Sequence, residues 1–297
     1  MRSLLLVSML AACGAAPAST DLGWMAAMSD GALLTELSIP GTHESAALFE
    51  PIPGTAKCQN LPLDEQLEAG VRYFDIRTRH MNDAFAIFHG PVDEQQTFDD
   101  VLATFGAFLD AHPSEAVIMS IKEESEPSGN TRPFEDTFAS YVAEDPDRWY
   151  LGADVPALGD VRGKLVLLRR FAATAQPLGL DASGWADDTT FTLATGASML
   201  RVQDAYMVSS DDAKWMAIDK LLVEAALPAA GTLYLNYTSG YQMHSGLPNT
   251  PSVANTINDN LDAFLADPAN AHAHVGVLAM DLVSDARVAA VAALNTP

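Results

Sequence analysis

Apolar positions recur along the chain with two periods, and the changes of period mark out its elements. Short runs rich in Val, Ile, Leu, Phe and Tyr, bounded by Gly, Pro, Asn or Asp, predict eight strands. They are Leu37–His43, Tyr73–Arg79, Phe85–His89, Ala116–Lys122, Lys164–Arg170, Met199–Asp204, Thr232–Tyr237 and Val275–Asp281. Helical spacing predicts helices over Thr97–Ala111, Arg132–Glu144, Asp211–Ala226, Ser252–Ala266 and Asp285–Leu294. Strands alternating with helices over roughly 250 residues imply one β/α barrel rather than two domains. One connection departs from that rule. His80 to Ala84 is too short for a parallel crossover, so the second and third strands should form an antiparallel hairpin. The expected fold is therefore α/β: a single-domain, distorted and incompletely closed TIM-type barrel.

Nearly every predicted strand ends in a polar or ionisable residue: His43, Asp75 with Arg77, His89, Lys122, Arg170, Asp204, Asn236 and Asp281. In a β/α barrel the strand ends and the loops after them form the active-site face. Strands that merely stop at solvent would give scattered polarity, not Asp and Arg inside the otherwise apolar Phe74-Asp75-Ile76-Arg77. These residues are expected to converge. Asp75 and Arg77, two apart, share one face of their strand. A hairpin turning near Met81 and Asn82 sets His89 roughly opposite Asp75. Two imidazoles and a guanidinium suit phosphodiester chemistry: one ring takes a proton, the other gives one, and the guanidinium binds phosphoryl oxygens. The remaining histidines carry less. His80, His112 and His244 fall in turns or loops and are read as solvated. His272-Ala-His274 has a spacing that could ligate a metal but lies in a loop before the last strand, and is also read as solvated.

Charge and composition narrow the picture. The 297 residues carry 16 Lys+Arg against 39 Asp+Glu, a net charge of -23, which excludes nucleic-acid binding driven by counterion release. Hydrophobic content of 48% with 19% charged residues allows a large core. The first residues read as an export signal: one Arg, an apolar run over Leu4–Leu10, then small residues. Leu10-Ala11-Ala12-Cys13 resembles a bacterial lipobox, in which Cys13 is lipidated and becomes the first mature residue. An ordinary cleaved signal with an incidental cysteine is the alternative. The expected organisation is a signal over 1–12, a tether and lead-in over 13–30, and a catalytic domain over 31–297. Export from a bacterial cell follows, with the chain lipid-anchored in the envelope or secreted. Cys58 is left unpaired and is read as structural or incidental.

Eight blocks then carry a family resemblance. They are Ser-Ile-Pro-Gly-Thr-His (38–43), Tyr-Phe-Asp-Ile-Arg (73–77), Phe-His-Gly-Pro (88–91) and His-Pro-Ser-Glu-Ala-Val-Ile-Met-Ser-Ile-Lys (112–122). The others are Val-Arg-Gly-Lys-Leu-Val-Leu-Leu-Arg-Arg-Phe (161–171), Val-Gln-Asp-Ala-Tyr (202–206), Leu-Tyr-Leu-Asn-Tyr-Thr-Ser (233–239) and Val-Gly-Val-Leu-Ala-Met-Asp (275–281). Their order resembles that of the bacterial phosphatidylinositol-specific phospholipases C, from about Leu37 to Val283. The resemblance implies cleavage of phosphatidylinositol to diacylglycerol and inositol 1,2-cyclic phosphate, by attack of the inositol 2-hydroxyl on its own phosphate. It makes His43 the general base, oriented by Asp281, and His89 the general acid, helped by Glu44. It gives Arg77 the phosphate charge, with Asp75 in the same network. Lys122, Arg170 and Asp204 match inositol-hydroxyl binders, and Tyr206 an aromatic packed against the sugar ring. A guanidinium at the phosphate makes calcium unnecessary, so neither metal nor cofactor is expected.

Glu44 departs from the family, which usually has Asp after the first histidine; one extra methylene must re-aim its pairing with His89. The acidic charge opposes approach to anionic lipid, so apolar loop residues are candidates for insertion: Phe49, Ile52, Tyr241, Met243 and Leu247. The expected partner is phosphatidylinositol, or another inositol phosphodiester such as a glycosylphosphatidylinositol anchor or glycerophosphoinositol, met by a monomer at a membrane surface. Two other readings stand beside this one. A metal-dependent glycerophosphodiesterase on the same barrel would be sensitive to EDTA. A non-catalytic inositol-phosphate-binding lipoprotein would bind headgroups without releasing cyclic phosphate.

Overall fold

The structure, a computed structural model, describes residues 23–296; the export signal and Cys13 lie outside the described residues. Its strands, in chain order, are β1 (Ile39–Thr42), β2 (Tyr73–Met81), β3 (Ala84–His89), β4 (Val92–Thr97), β5 (Val117–Ser128), β6 (Trp149–Tyr150) and β7 (Leu165–Arg170). They continue as β8 (Leu180–Asp181), β9 (Thr189–Thr195), β10 (Ser198–Asp204), β11 (Thr232–Tyr237), β12 (Gln242–His244), β13 (Leu247–Asn249) and β14 (Val277–Met280). The helices are α1 (Leu63–Ala69), α2 (Phe98–Ala111), α3 (Phe134–Glu144), α4 (Leu158–Val161), α5 (Asp211–Ala226), α6 (Thr250–Ala266) and α7 (Asp285–Ala293).

The main sheet runs β6-β7-β5-β2-β1-β14-β11-β10-β9, parallel from β6 to β10 and closed at its far edge by the antiparallel β9. It curls without sealing. Among the described residues no ladder joins β8 to β9; instead the Asp181 N–H donates to Thr195 Oγ1 at 2.7 Å across the gap. The expected hairpin is present, with Asn82 and Asp83 both left-handed (φ 51° and 61°), as a tight two-residue turn requires. It is longer than the sequence pattern indicates. β2 runs on to Met81, and β5 follows it with two register shifts as far as Met81↔Ser128. Lys122 is therefore mid-strand, not terminal.

Alternation of side chains divides two cores. Inward positions (Ile39, Tyr73, Ile118, Val166, Leu168, Leu200, Val202, Leu233, Leu235, Val277 and Ala279) plug the barrel below the site, over Trp24, Met25, Leu34 and Leu37. Outward positions such as Phe74, Ile76, Val117, Met119, Leu165, Leu278 and Met280 pack under the helices. The helices start at side-chain caps: Thr97 and Asp100 cap α2 reciprocally, and Ser210, Asn249 and Ser284 cap α5, α6 and α7. Gly41 is required where β1 crosses the plug. A Cβ there would sit 2.9 Å from Tyr73 Cβ and 3.1 Å from the Leu278 carbonyl oxygen.

Candidate active site

The same alternation builds the site. On each parallel strand the first inward positions are apolar and the last is polar: Ile39 and Gly41 lead to His43, Val166 and Leu168 to Arg170, Leu200 and Val202 to Asp204, Val277 and Ala279 to Asp281. Tyr73 leads to Asp75 and Arg77. Register aligns them, with Arg77 opposite Lys122 and Lys122 opposite Arg170. One step beyond the last pairs of β1, Thr42↔Phe74 and Thr42↔Met280, His43 falls between Asp75 and Asp281. The result is one polar layer above an apolar plug.

His43 Nδ1 bonds Asp281 Oδ1 at 2.8 Å, and its ring meets Tyr237 edge-on. Burial opposes charging the imidazole, but the Asp281 carboxylate outweighs it and raises the pKa above the usual histidine value. The turn after His43 is held from several directions. Gln59 Nε2 donates to the His43 and Met280 carbonyls at 2.7 and 2.8 Å. The Ser45 N–H donates to the Asp75 carbonyl at 3.0 Å and the Leu282 N–H to the Cys58 carbonyl at 2.8 Å. Glu44 and Leu282, each directly after a site residue, are left-handed (φ 42° and 48°), a strained conformation that these contacts maintain.

Arg77 lies in a nest of carboxylates. Its guanidinium donates to Asp75 Oδ2 from Nε and Nη2 at 3.1 and 3.0 Å, pairs with Glu44 Oε1 at 2.6 Å and reaches Glu124 Oε2 at 3.2 Å. Burial alone would raise the Asp75 carboxyl, yet Arg77 and Arg170 hold it well below the carboxylate range. Burial raises Glu44, opposed in part by Arg77 and His89. His89 Nδ1 lies 2.6 Å from the Ala56 carbonyl oxygen. A carbonyl only accepts, so Nδ1 carries a proton and leaves Nε2 as the other ring nitrogen, 3.8 Å from Glu44 Oε1.

The opposite wall is aromatic and acidic. Arg170 packs 3.8 Å above the Trp185 ring and bonds Asp75 Oδ1 and the Tyr237 hydroxyl at 3.4 and 3.5 Å. Trp185 Nε1–H donates to Asp204 Oδ2 at 2.9 Å, and the Tyr206 hydroxyl donates to Asp187 at 2.8 Å. A cleft of about 620 Å³ joins both walls, with His43, Arg77 and His89 on one side and Trp185, Asp204 and Tyr206 on the other. Phe49 and Ile52 are exposed in the loop that gives Thr55 and Cys58 to the cleft, and Met243 and Leu247 on the β12–β13 hairpin, where Met243 lines it.

Comparison with known proteins decides what this layer belongs to. Residues 39–171 match the family described as phosphatidylinositol-specific phospholipase C, X domain. A 1-phosphatidylinositol phosphodiesterase of Staphylococcus aureus is 32% identical over 300 residues, covering 94% of this chain and 90% of that one. The chain belongs to the bacterial phosphatidylinositol-specific phospholipase C family. A Listeria monocytogenes relative of the same name is 31% identical, covering 88% of this chain and 81% of its own. Among solved structures, a mutant of the Staphylococcus aureus phosphatidylinositol-specific phospholipase C superposes with TM-score 0.83 at 29% identity, covering 93% and 98% of the two chains. The Listeria monocytogenes enzyme gives 0.78 at 26% identity, covering 94% and 100%.

For this family member the structure draws together every residue expected in the site: His43, Glu44, Arg77, His89, Lys122, Arg170, Asp204, Tyr206 and Asp281 line the cleft, and Asp75 lies buried beneath Arg77. Several expectations need correction. The β2–β3 ladder pairs Thr78 with Ile87, which carries His89 toward Ile76 rather than Asp75, and its carboxylate neighbour is Glu44. Asn236 faces outward and bonds the Ile218 carbonyl of α5, because parity on β11 gives the inward position to Tyr237. His80 is buried, not solvated: β2 extends past it, and its Nε2 meets Thr137 Oγ1 of α3 at 2.8 Å. His112 is half-buried on the Phe108 ring; His244 is exposed. His272 and His274 bond different carbonyls, of Thr296 and Ala225, and His274 is half-buried. The half-buried Tyr241 ring, an insertion candidate, lines the cleft and lies 6.1 Å from the Tyr206 ring, centroid to centroid. Cys58 is on the cleft wall.

Sequence patterning misses Glu124, Trp185, Tyr237 and Gln59. Glu124 and Tyr237 had a usable signal, the continued period-two alternation from Lys122 and from Leu235. Trp185 and Gln59 sit in aperiodic loops with none.

Proposed function

We propose that this chain cleaves phosphatidylinositol at a membrane surface to diacylglycerol and inositol 1,2-cyclic phosphate, by two-imidazole general base and general acid catalysis. One observation carries the reading: each imidazole has its Nδ1 tied down, His43 to a carboxylate and His89 to a carbonyl, so that both turn Nε2 to a cleft containing Arg77. The Asp281 partner makes His43 the stronger base. Its Nε2 takes the proton of the inositol 2-hydroxyl as that oxygen bonds to phosphorus. The bond from phosphorus to the glycerol oxygen breaks, and His89 Nε2–H protonates the departing oxygen.

Arg77 meets the charge that grows on the non-bridging oxygens, already oriented by Asp75, Glu44 and Glu124 and so reorganising little. Lys122, Arg170 and Asp204 hold inositol hydroxyls, and Tyr206 packs on the ring; a polyol needs donors and acceptors at fixed geometry, and this wall supplies both. The exposed apolar side chains Phe49, Ile52, Met243 and Leu247, on two loops that also contribute to the cleft lining, seat the enzyme on the bilayer, opposing its acidic charge. The relatives' printed names, 1-phosphatidylinositol phosphodiesterase, support the same substrate.

The test is incubation of the chain with phosphatidylinositol vesicles in EDTA, followed by phosphorus NMR. Inositol 1,2-cyclic phosphate forms, and it does not form with His43→Ala. Turnover that is abolished by EDTA and restored by calcium would overturn the role given to Arg77.

A further inference from the structure

Cys58 has no part in that mechanism, yet its Sγ, a ring nitrogen of His43 and an Asp281 carboxylate oxygen all lie within 4.8 Å of one another. We propose that these three side chains form an inhibitory site for a thiophilic divalent cation, Zn²⁺ or Cd²⁺, at the foot of the cleft. That the cation inhibits rests on the general-base reading of His43; that it binds does not.

Six features support the site. The donors are one sulfur, one imidazole nitrogen and carboxylate oxygen, a set that selects zinc-like ions over calcium or magnesium. Tetrahedral zinc, with Zn–S about 2.3 Å and Zn–N about 2.0 Å, needs its ligand atoms roughly 3.5 Å apart, so modest side-chain rotations close the present spacing. Asp281 Oδ2 is buried and has no hydrogen-bond partner among the described residues, leaving lone pairs unclaimed inside the cluster. Cys58 is scarcely committed elsewhere: its Sγ makes one weak contact, 3.7 Å from the Ala56 carbonyl oxygen. All three residues line the cleft, so an ion reaches them from solvent and leaves a coordination position open to water. The net charge of -23 raises the local cation concentration.

Proton accounting explains why binding would inhibit. In the working site His43 Nδ1 carries the proton shared with Asp281, and Nε2 is the base. A cation on Nδ1 forces that proton to Nε2, and a cation on Nε2 takes that lone pair itself; in either case none remains for the inositol hydroxyl. The Cys58 thiol releases its proton to solvent as it becomes a thiolate ligand.

Cobalt(II) added to the reduced, full chain is the probe. A thiolate-to-cobalt charge-transfer absorption appears, is displaced by Zn²⁺, and is absent in Cys58→Ser. Zn²⁺ affinity falls at least about 100-fold in that variant, the upper end of what loss of a mere supporting partner costs. Metal-free turnover of phosphatidylinositol by Cys58→Ser is unchanged but no longer inhibited by Zn²⁺; Cys58→Ala serves equally if Ser perturbs the buried site. No absorption in the wild type, or the same absorption in both variants, overturns the site. Zn²⁺ bound through Cys58 with turnover undiminished overturns the inhibition. A metal-free chain that never cleaves phosphatidylinositol counts against the proposed function, while the cobalt spectrum still decides the site.

Discussion

The β1 end that carries His43 and the hairpin end that carries His89 present the same side chain in two different settings. His43 stands in the closed part of the barrel between β2 and β14, its Nδ1 on a carboxylate 1% exposed. His89 stands at the tip of an added antiparallel ribbon, its Nδ1 on a loop carbonyl and its nearest carboxylate, Glu44, already paired with Arg77. In the proposed mechanism the charged partner stabilises the imidazolium of the base, His43, while the neutral acceptor fixes the ring of the acid, His89. Sequence distance follows the same division. Asp281 lies 238 residues from His43, whereas Ala56 lies 33 from His89.

The comparison breaks most completely if either ring is removed. His43→Ala and His89→Ala should each lower kcat/KM on phosphatidylinositol by up to about 10⁴-fold, measured by release of cyclic phosphate. Arg77→Met comes next. It removes the one guanidinium shared by Asp75, Glu44 and Glu124, so besides losing activity it should destabilise the fold by about 3–5 kcal/mol in urea unfolding. A variant as stable as the wild type would show that the carboxylate nest is not held by Arg77.

Asp281→Asn sharpens the comparison. The carboxylate is what raises the His43 pKa against burial, so its loss lowers that pKa. In the proposed mechanism His43 acts as a base only when neutral, so activity falls as pH drops through its pKa. The acid limb of kcat/KM should therefore move to lower pH, with the plateau reduced about 100-fold by the loosened ring. An unmoved limb would assign it to another group. Glu44→Asp has the smallest expected effect, under about tenfold, because the shorter side chain gives up contact with Arg77 but keeps the charge beside His89.

These same residues show how far the sequence could be read. Most parallel strands read as apolar inward positions followed by polar ones at the end, so Asp75, Arg77, Arg170, Asp204 and Asp281 stand out by alternation alone. His80 is misread because the hairpin is set by the Asn82-Asp83 turn, one residue beyond where the apolar pattern fades. The edge strands β4 (Val92–Thr97) and β9 (Thr189–Thr195) escape notice because Asp, Gln and Thr fill them, as suits strands with a solvated side. Gln59, Cys58 and Trp185 reach the site from loops held by backbone hydrogen bonds between distant segments, which leave no local pattern. The helices α2, α3, α5 and α7 fall within two residues of their expected bounds because caps and apolar spacing are local properties.

The difference between the two imidazoles is tested most directly by changing the leaving group. An inositol phosphodiester that expels p-nitrophenolate needs no proton at the departing oxygen, so it bypasses the acid but not the base. The account predicts that His89→Ala recovers most of its lost activity on this substrate, while His43→Ala remains as impaired as on phosphatidylinositol. Equal impairment of both variants, or recovery by His43→Ala, would contradict it.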